Sequence, residues 1–205
     1  MYEGVRLSTA MRMARAASFL TQQELAEETG VSKSIIARNE KHEMAMRADT
    51  WIRLEHVMQQ HGIALNLIDD LDRIHLYIKG ENLEIVGLRA TRAALNITQQ
   101  ELADYLEVSK NVVTRAERPN ALLRSDFTTR LAQRAYALGI NINSTPITGD
   151  LTITVEPNGL VLLESLGRGE ALPDDPETEL LPTTLQEKLM EGKKKHYKVQ
   201  RRSDG

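Results

Sequence analysis

The sequence Thr-Gln-Gln-Glu-Leu-Ala occurs twice, at residues 21–26 and at residues 98–103. In both places Val-Ser-Lys follows after an interval of four residues, and the two occurrences are 77 residues apart. An ungapped alignment of residues 11–66 with residues 88–143 contains 22 identities in 56 positions. Similarity at one fixed offset over this length indicates an internal duplication. We therefore predict that the chain contains two copies of one module.

Composition limits the kind of protein in which these copies occur. The chain has 205 residues, of which 41% are hydrophobic, so it can form two small domains with buried cores. Its formal net charge is -3, so binding to nucleic acid would have to depend on a local basic surface. The chain has no cysteine, which excludes disulfides, thiolate metal sites and cysteine nucleophiles. We see neither a signal segment nor an apolar run long enough to cross a bilayer, and we expect a soluble, cytoplasmic protein with no membrane contact.

Hydrophobic periodicity and capping residues predict four helices in the first copy. Apolar residues recur near the helical period over residues 5–19, which predicts the first helix. Thr21 and Glu24 have the spacing of a capping box, which predicts that a second helix starts there. Ser32 can cap a third helix, and a longer amphipathic helix follows it. The second copy has the same pattern 77 residues later.

Two short helices joined by a tight turn, packed between an earlier and a later helix, have the order of a helix-turn-helix. The pattern Thr-Gln-x-Glu-Leu-Ala, four residues, then Val-Ser-x-x-x-Ile/Val-x-Arg-x-Glu resembles the lambda-repressor-like (Xre/Cro) family of DNA-binding proteins. Both copies match, over residues 5–66 and 83–143. The resemblance implies a mainly α fold with small β additions, in which two tandem helix-turn-helix domains are each followed by short strands or a hairpin.

Each copy departs from the family pattern. Asn39 and Ala116 occupy the position before the last Glu, where the family usually has a bulky apolar residue, so we expect thinner or rearranged packing there. Glu107 replaces the turn glycine that the first copy has at Gly30. If the left-handed turn is kept, this replacement should cost roughly 1 kcal/mol.

The hydrophobic period changes from 3.6 to 2 after each copy. Residues 63–68, 74–79 and 151–155 have the alternation of short strands. We expect Asn158-Gly159 to turn a β-hairpin whose second strand is residues 160–163. An isolated two-stranded hairpin is marginal in water, so the strands should pair with each other or with another chain. A resemblance to the antitoxin-like branch of the family implies pairing with the counterpart strand of a second subunit, and therefore a homodimer.

These patterns divide the chain into five predicted segments. They are the first helix-turn-helix domain (1–66), a strand-containing linker (67–82), the second helix-turn-helix domain (83–143), a β-hairpin (144–166) and a tail (167–205). The tail is acidic in its first half and basic in its second half, a composition that predicts disorder.

The resemblance implies that the third helix of each copy enters the major groove and reads base edges through its first turns. The residues that it carries over are Gln22, Ser32, Lys33, Ser34 and Arg38 in the first copy, and Gln99, Ser109, Lys110, Asn111, Thr114 and Arg115 in the second. Arg38 and Arg115 are candidates for bidentate contacts to guanine, and Asn111 for a bidentate contact to adenine. Gln22 and Gln99 would meet a phosphate at the start of the second helix. The serines would cap a helix in any protein, and the glutamines are equally compatible with simple solvation.

Other kinds of site have little support in the sequence. The five histidines show no metal-ligand spacing, and Gly167-Arg168-Gly169 lacks the rest of a phosphate-binding loop. No arrangement of nucleophile and base or of paired carboxylates suggests catalysis. We therefore expect no cofactor, no metal and no enzymatic activity.

Two functions remain open from the sequence. The first is a sequence-specific transcriptional regulator that binds double-stranded DNA and reads a bipartite operator with two recognition helices, whose half-sites would be about 34 Å apart. The second is an antitoxin-like or anti-activator module that binds a protein partner through one or both copies. Glu107, Asn39 and the acidic segment 170–187 motivate the second hypothesis.

Overall fold

The computed structural model describes residues 3–67, 69–144, 149–170 and 172–173. The described residues up to Glu170 form one compact unit. The predicted disorder of the tail falls, beyond residue 173, outside the described residues.

Within these residues the chain forms nine helices and four strands, so a mainly α fold with a small β addition is confirmed. The helices are α1 (Glu3–Ala17), α2 (Gln22–Thr29), α3 (Lys33–Glu40), α4 (Ala48–Gln60), α5 (Leu83–Leu95), α6 (Gln99–Tyr105), α7 (Lys110–Ala116), α8 (Ser125–Ala137) and α9 (Pro157–Gly167). The strands are β1 (Ile63–Asn66), β2 (Ile74–Ile78), β3 (Ile140–Ser144) and β4 (Leu151–Val155). Helices α1–α4 with β1 and β2 form the first module, and helices α5–α8 with β3 and β4 form the second. No helix in the described parts of the chain is both long and apolar enough to cross a membrane.

The predicted capping boxes start the second helix of each module. The Thr21 hydroxyl accepts a hydrogen bond from the Glu24 backbone N–H at 3.2 Å, and the Glu24 carboxylate accepts one from the Thr21 N–H at 2.7 Å. Thr98 and Glu101 make the same two bonds at the same distances. Both N–H groups would otherwise lack a partner at the helix start, so the box fixes where each helix begins.

The turn after the second helix is left-handed in both modules. Gly30 has a φ of 66°, which suits a residue without a side chain. Glu107 keeps the turn with a φ of 55°, so the departure predicted from the sequence is present in the structure. Glu107 is exposed, and its carboxylate lies 2.9 Å from the Arg134 guanidinium.

The position before the last Glu of the third helix is filled differently in the two modules. Asn39 is buried, and its amide nitrogen donates to the Ile35 carbonyl at 2.9 Å. The Asn39 side-chain oxygen has no hydrogen-bond partner in the structure. Ala116 is also buried and packs in the core of the second module, so a small side chain suffices there.

All four strands join in one antiparallel sheet with the order β1-β2-β4-β3. Leu76 pairs with Ile153, its own counterpart 77 residues later, at the centre of the β2–β4 contact. On either side, Ile74 pairs with Val155 and Ile78 pairs with Leu151. This register is symmetric: when the modules are exchanged, the central pair maps onto itself and the two flanking pairs map onto each other. The sheet therefore relates the two modules by an approximate two-fold axis between β2 and β4.

The helices α1 and α5 pack together and repeat this symmetry. Arg12 of α1 donates from Nε to the Ala93 carbonyl at 3.0 Å, and Arg89 of α5 donates from Nε to the Ala16 carbonyl at 2.9 Å. Both the arginines and the alanines are 77 residues apart, so the two contacts are exchanged by the same two-fold operation. This reciprocity is the mark of an isologous interface, here formed within a single chain.

The predicted hairpin over residues 151–163 is wrong. Residues 151–155 do form a strand, but β4 pairs with β2 and β3, and residues 157–167 are the helix α9. Pro157 occupies the first turn of α9, where its missing N–H costs nothing, and the apolar run at residues 160–163 has no two-residue period. Gly159 serves close packing instead, since a Cβ there would lie 2.6 Å from the Gly139 carbonyl oxygen.

Candidate nucleic-acid interface

The third helix of each module presents a polar surface at its amino-terminal end. Lys33, Ser34 and Arg38 are exposed on α3, and Lys110, Asn111 and Arg115 are exposed on α7. Among the described residues, none of these four cationic side chains has a carboxylate within ion-pair distance. Their charges and hydrogen-bond donors are thus available to a ligand.

The serines before these helices behave differently in the two modules. The Ser32 hydroxyl accepts a hydrogen bond from the Ile35 N–H at 3.4 Å and lies 3.1 Å from the Ser34 hydroxyl. Ser109 has the same position before α7, but within the described residues its side chain makes no capping bond. Ser109 is exposed, and its hydroxyl can therefore turn outward.

The glutamines at the start of the second helices are held by buried carboxylates. Gln22 Nε2 donates to Glu40 at 2.7 Å, and Gln99 Nε2 donates to Glu117 at 2.7 Å. One N–H of each glutamine is used inside its module, so the predicted phosphate contact is left to the second N–H and to the backbone. Glu40 and Glu117 are the last residues of the repeated motif, but the sequence does not indicate that their carboxylates position the glutamines.

A buried ion pair holds each of these carboxylates in place. Arg15 donates to the two carboxylate oxygens of Glu40 at 2.5 and 3.0 Å. Arg92 makes the same bidentate contact with Glu117, with its Nη2 bond at 3.0 Å. Each pair connects the first helix of a module to the end of its third helix. The third helices are thereby fixed by charge-assisted hydrogen bonds as well as by apolar packing.

Thr114 lies at the edge of this network. It is half-buried, and its hydroxyl donates to the Gln99 side-chain oxygen at 2.9 Å. The first module has Ala37 at the equivalent position and lacks this bond. Thr114 therefore orients Gln99.

The exposure of Val112 on α7 was not predicted from the sequence. Val112 is 41% exposed on α7, beside Asn111, whereas the equivalent Ile35 of α3 is half-buried. An exposed aliphatic group at the start of a helix that lies in the major groove can contact the methyl group of thymine. The helical period could have predicted this exposure, because the buried residues Val113 and Ala116 place residue 112 on the outer face of α7.

The carboxyl-terminal ends of α3 and α7 are attached to the contact between the modules. Arg12 donates from Nη1 to the Glu40 carbonyl at 2.5 Å, and Arg89 donates from Nη1 to the Glu117 carbonyl at 3.4 Å. These two bonds are again exchanged by the two-fold operation. The amino-terminal end of each of these helices lies about 10 Å from its carboxyl-terminal end, measured along the helix axis. Two similar polar surfaces are therefore placed symmetrically about one axis.

The remaining electrostatic features are structural. Hydrogen bonds from the backbone and side chain of Thr21 lower the pKa of Glu24, and Thr98 lowers the pKa of Glu101 in the same way. The described part of the chain contains no group of three or more His, Cys, Asp or Glu side chains arranged to hold a metal ion.

Comparisons of this chain with protein-family models, with curated proteins and with solved structures found no match.

Proposed function

We propose that this chain is a sequence-specific transcriptional regulator that binds double-stranded DNA through two tandem lambda-repressor-like helix-turn-helix domains. Helices α2 and α3 form the first helix-turn-helix, and α6 and α7 form the second. The third helices α3 and α7 act as recognition helices, with Arg38 and Arg115 as the principal guanine contacts.

The two-fold relation between the modules carries this proposal. The reciprocal contacts of Arg12 and Arg89, and the pairing of Leu76 with Ile153, make the chain an internal pseudo-dimer. Dimeric helix-turn-helix proteins bind operators whose approximate dyad matches the protein dyad. The bipartite operator should therefore be an inverted repeat, and its half-sites should differ because Ser34 and Ala37 in α3 correspond to Asn111 and Thr114 in α7.

The internal sheet also indicates how many chains would bind one operator. The counterpart strand that a second subunit would supply in a homodimer is supplied here by the second module, since β2 pairs with β4. One chain therefore offers both readers, and we propose that one chain occupies one complete operator. A homodimer through the strands is not needed for this binding mode.

The test is selection of bound duplexes from a random library, followed by binding measurements on the selected site and on a version with one half-site reversed. We expect an inverted repeat, bound by one chain per duplex, and weaker binding when one half is reversed. Arg38→Ala and Arg115→Ala should each relax a different half, by about 1–3 kcal/mol for a lost bidentate contact. Lys79→Ala, which removes an exposed charge immediately after β2, is the control and should not change the sequence preference.

A direct repeat bound as tightly as the inverted one would contradict the proposed dyad. If no sequence is enriched and the affinity for DNA does not depend on salt, the regulator proposal fails. In that case the second hypothesis, binding of a protein partner through the helix-turn-helix surfaces, becomes the one to test.

A further inference from the structure

The two-fold symmetry of the modules is broken around the guanidinium groups at their contact. Arg89 lies under the ring of Phe19, with its central carbon 4.5 Å from the ring centroid. Phe19 has a φ of 59°, a left-handed conformation that is costly for a bulky residue. Its counterpart after α5 is Asn96, which has the same left-handed conformation with a φ of 55°. Among the described residues, the guanidinium of Arg12 therefore has no aromatic ring in the place where Arg89 has Phe19.

A cavity occupies the place where that cover would be. Its volume is about 490 Å³, and Arg12 and Asn96 both line it. Helix α9, which has no counterpart among the first four helices, forms one wall with Leu163 and Leu166. Leu95 adds a further apolar side chain. This volume and this mixture of an apolar wall with a few polar groups are typical of small-molecule sites.

The charges around the cavity favour an anion. Arg12 donates to the carbonyl oxygens of Ala93, Glu40 and Ala94 and to the Thr9 hydroxyl, all of them uncharged acceptors. Among the described residues, no carboxylate lies within ion-pair distance of it. Burial lowers the pKa of Arg12 to about 10, which leaves it positively charged at neutral pH.

The rim adds two further cations. Lys41 and Arg168 both line the cavity, and both are exposed. Arg168 is paired with Glu164 at 2.6 Å, and Lys41 is 4.0 Å from Glu43 in a solvent-exposed pair. The Glu40 carboxylate is already neutralised by Arg15. The lining therefore retains an excess of positive charge.

We propose that this cavity binds an aromatic carboxylate. Its ring stacks on the Arg12 guanidinium, as the Phe19 ring stacks on Arg89, and packs against Leu163 and Leu166. Its carboxylate is directed to Lys41 and Arg168 at the rim. Arg12 also holds the ends of α3 and α5 through their carbonyl groups, so such a ligand would contact the residue that connects the two modules.

The test is titration calorimetry of the full chain, without DNA, using 2-naphthoate as the probe. Cyclohexanecarboxylate keeps the charge without the aromatic ring, and 2-naphthamide keeps the ring without the charge. We expect one naphthoate per chain and weaker binding of both analogues. The loss for cyclohexanecarboxylate should be about three- to thirtyfold, the range expected for a cation–π contact.

Asn96→Phe should fill the cavity with the chain's own aromatic ring, in the arrangement of Phe19 and Arg89, and should weaken naphthoate binding at least tenfold. Asn120→Phe is the matched control, because Asn120 is also exposed and left-handed, with a φ of 63°, but does not line the cavity. It should bind naphthoate as the unaltered chain does. If Asn96→Phe fails to fold, Arg168→Glu at the rim should weaken naphthoate binding and leave 2-naphthamide unaffected.

Equal binding of all three compounds, or unchanged naphthoate binding by folded Asn96→Phe, would overturn the proposal. Absence of binding at millimolar naphthoate would also overturn it. Because no DNA is present, these outcomes are independent of whether the chain regulates transcription.

Discussion

Removal of Arg92 should strongly destabilise the protein, because it leaves a buried carboxylate without its charge partner. Glu117 is only 4% exposed and accepts two hydrogen bonds from Arg92 and one from Gln99. Hydrogen bonds to charged groups contribute about 1.5–3 kcal/mol each, and breaking a buried pair by removing one partner costs about 3–5 kcal/mol. We therefore expect Arg92→Met, which keeps most of the apolar stem, to lower the free energy of unfolding by about 4 kcal/mol.

The assay is urea unfolding followed by circular dichroism. With a denaturant dependence of about 2 kcal/mol/M, a loss of about 4 kcal/mol moves the midpoint by about 2 M. Arg47→Met is the control, because Arg47 pairs with Asp49 at 3.1 Å on the exposed surface, and its loss should cost less than about 1 kcal/mol. The double variant Arg92→Met/Glu117→Gln removes both charges and should be more stable than Arg92→Met alone.

Two results would refute this reasoning. If Arg92→Met costs no more than Arg47→Met, the Glu117 carboxylate is hydrated and the pair does not hold α7 to α5. If the losses of unfolding free energy for Arg92→Met and Glu117→Gln, each measured alone, add up to the loss for the double variant, the two side chains do not interact.

Two further predictions concern the helix ends. Glu107→Gly should relieve the left-handed strain at residue 107, so in thermal unfolding it should be more stable by about 1 kcal/mol than Glu107→Ala, which loses the same exposed contact with Arg134 but keeps the strain; equal stabilities would show that the turn relaxes in another way. The pKa values of Glu24 and Glu101 are lowered in the folded state by the capping boxes, so the stability they contribute is present above their unfolded pKa and is lost as the pH falls through the folded value. The melting temperature of Glu24→Gln/Glu101→Gln should therefore depend less on pH below about 4.5 than that of the unaltered chain, and identical pH profiles would exclude this contribution.

Local signals in the sequence predicted the helices α1–α8 of the two modules, because the interactions that start and end these helices are local. The capping boxes at Thr21 and Thr98 and the left-handed turns at residues 30 and 107 each involve groups within a few residues of one another. The duplication added an internal check, since each boundary in one copy predicted a boundary in the other. The polar residues at the start of α3 and α7 were implied by the family resemblance, and the structure places them on the exposed surface.

The error at residues 157–167 has a different origin. The pair Asn158-Gly159 predicts a hairpin turn, because this pair is common in such turns. In the structure Gly159 is needed for the close approach to Gly139, which comes from another part of the chain. A short apolar run such as residues 160–163 is compatible with either a strand or a helix, and the contacts with the rest of the fold decided the outcome.

The sequence by itself determined the duplication, the helix order of each module and the residues at the start of the third helices, because these depend on spacing and on bonds between near neighbours. Only the tertiary structure decided how the two modules are joined. The Arg12–Ala93 and Arg89–Ala16 contacts and the β2–β4 register connect residues more than 70 positions apart, and no local pattern encodes such pairings. The same is true of the cavity beside Arg12, which exists because α9 and Asn96 break a symmetry that the sequence repeat implied.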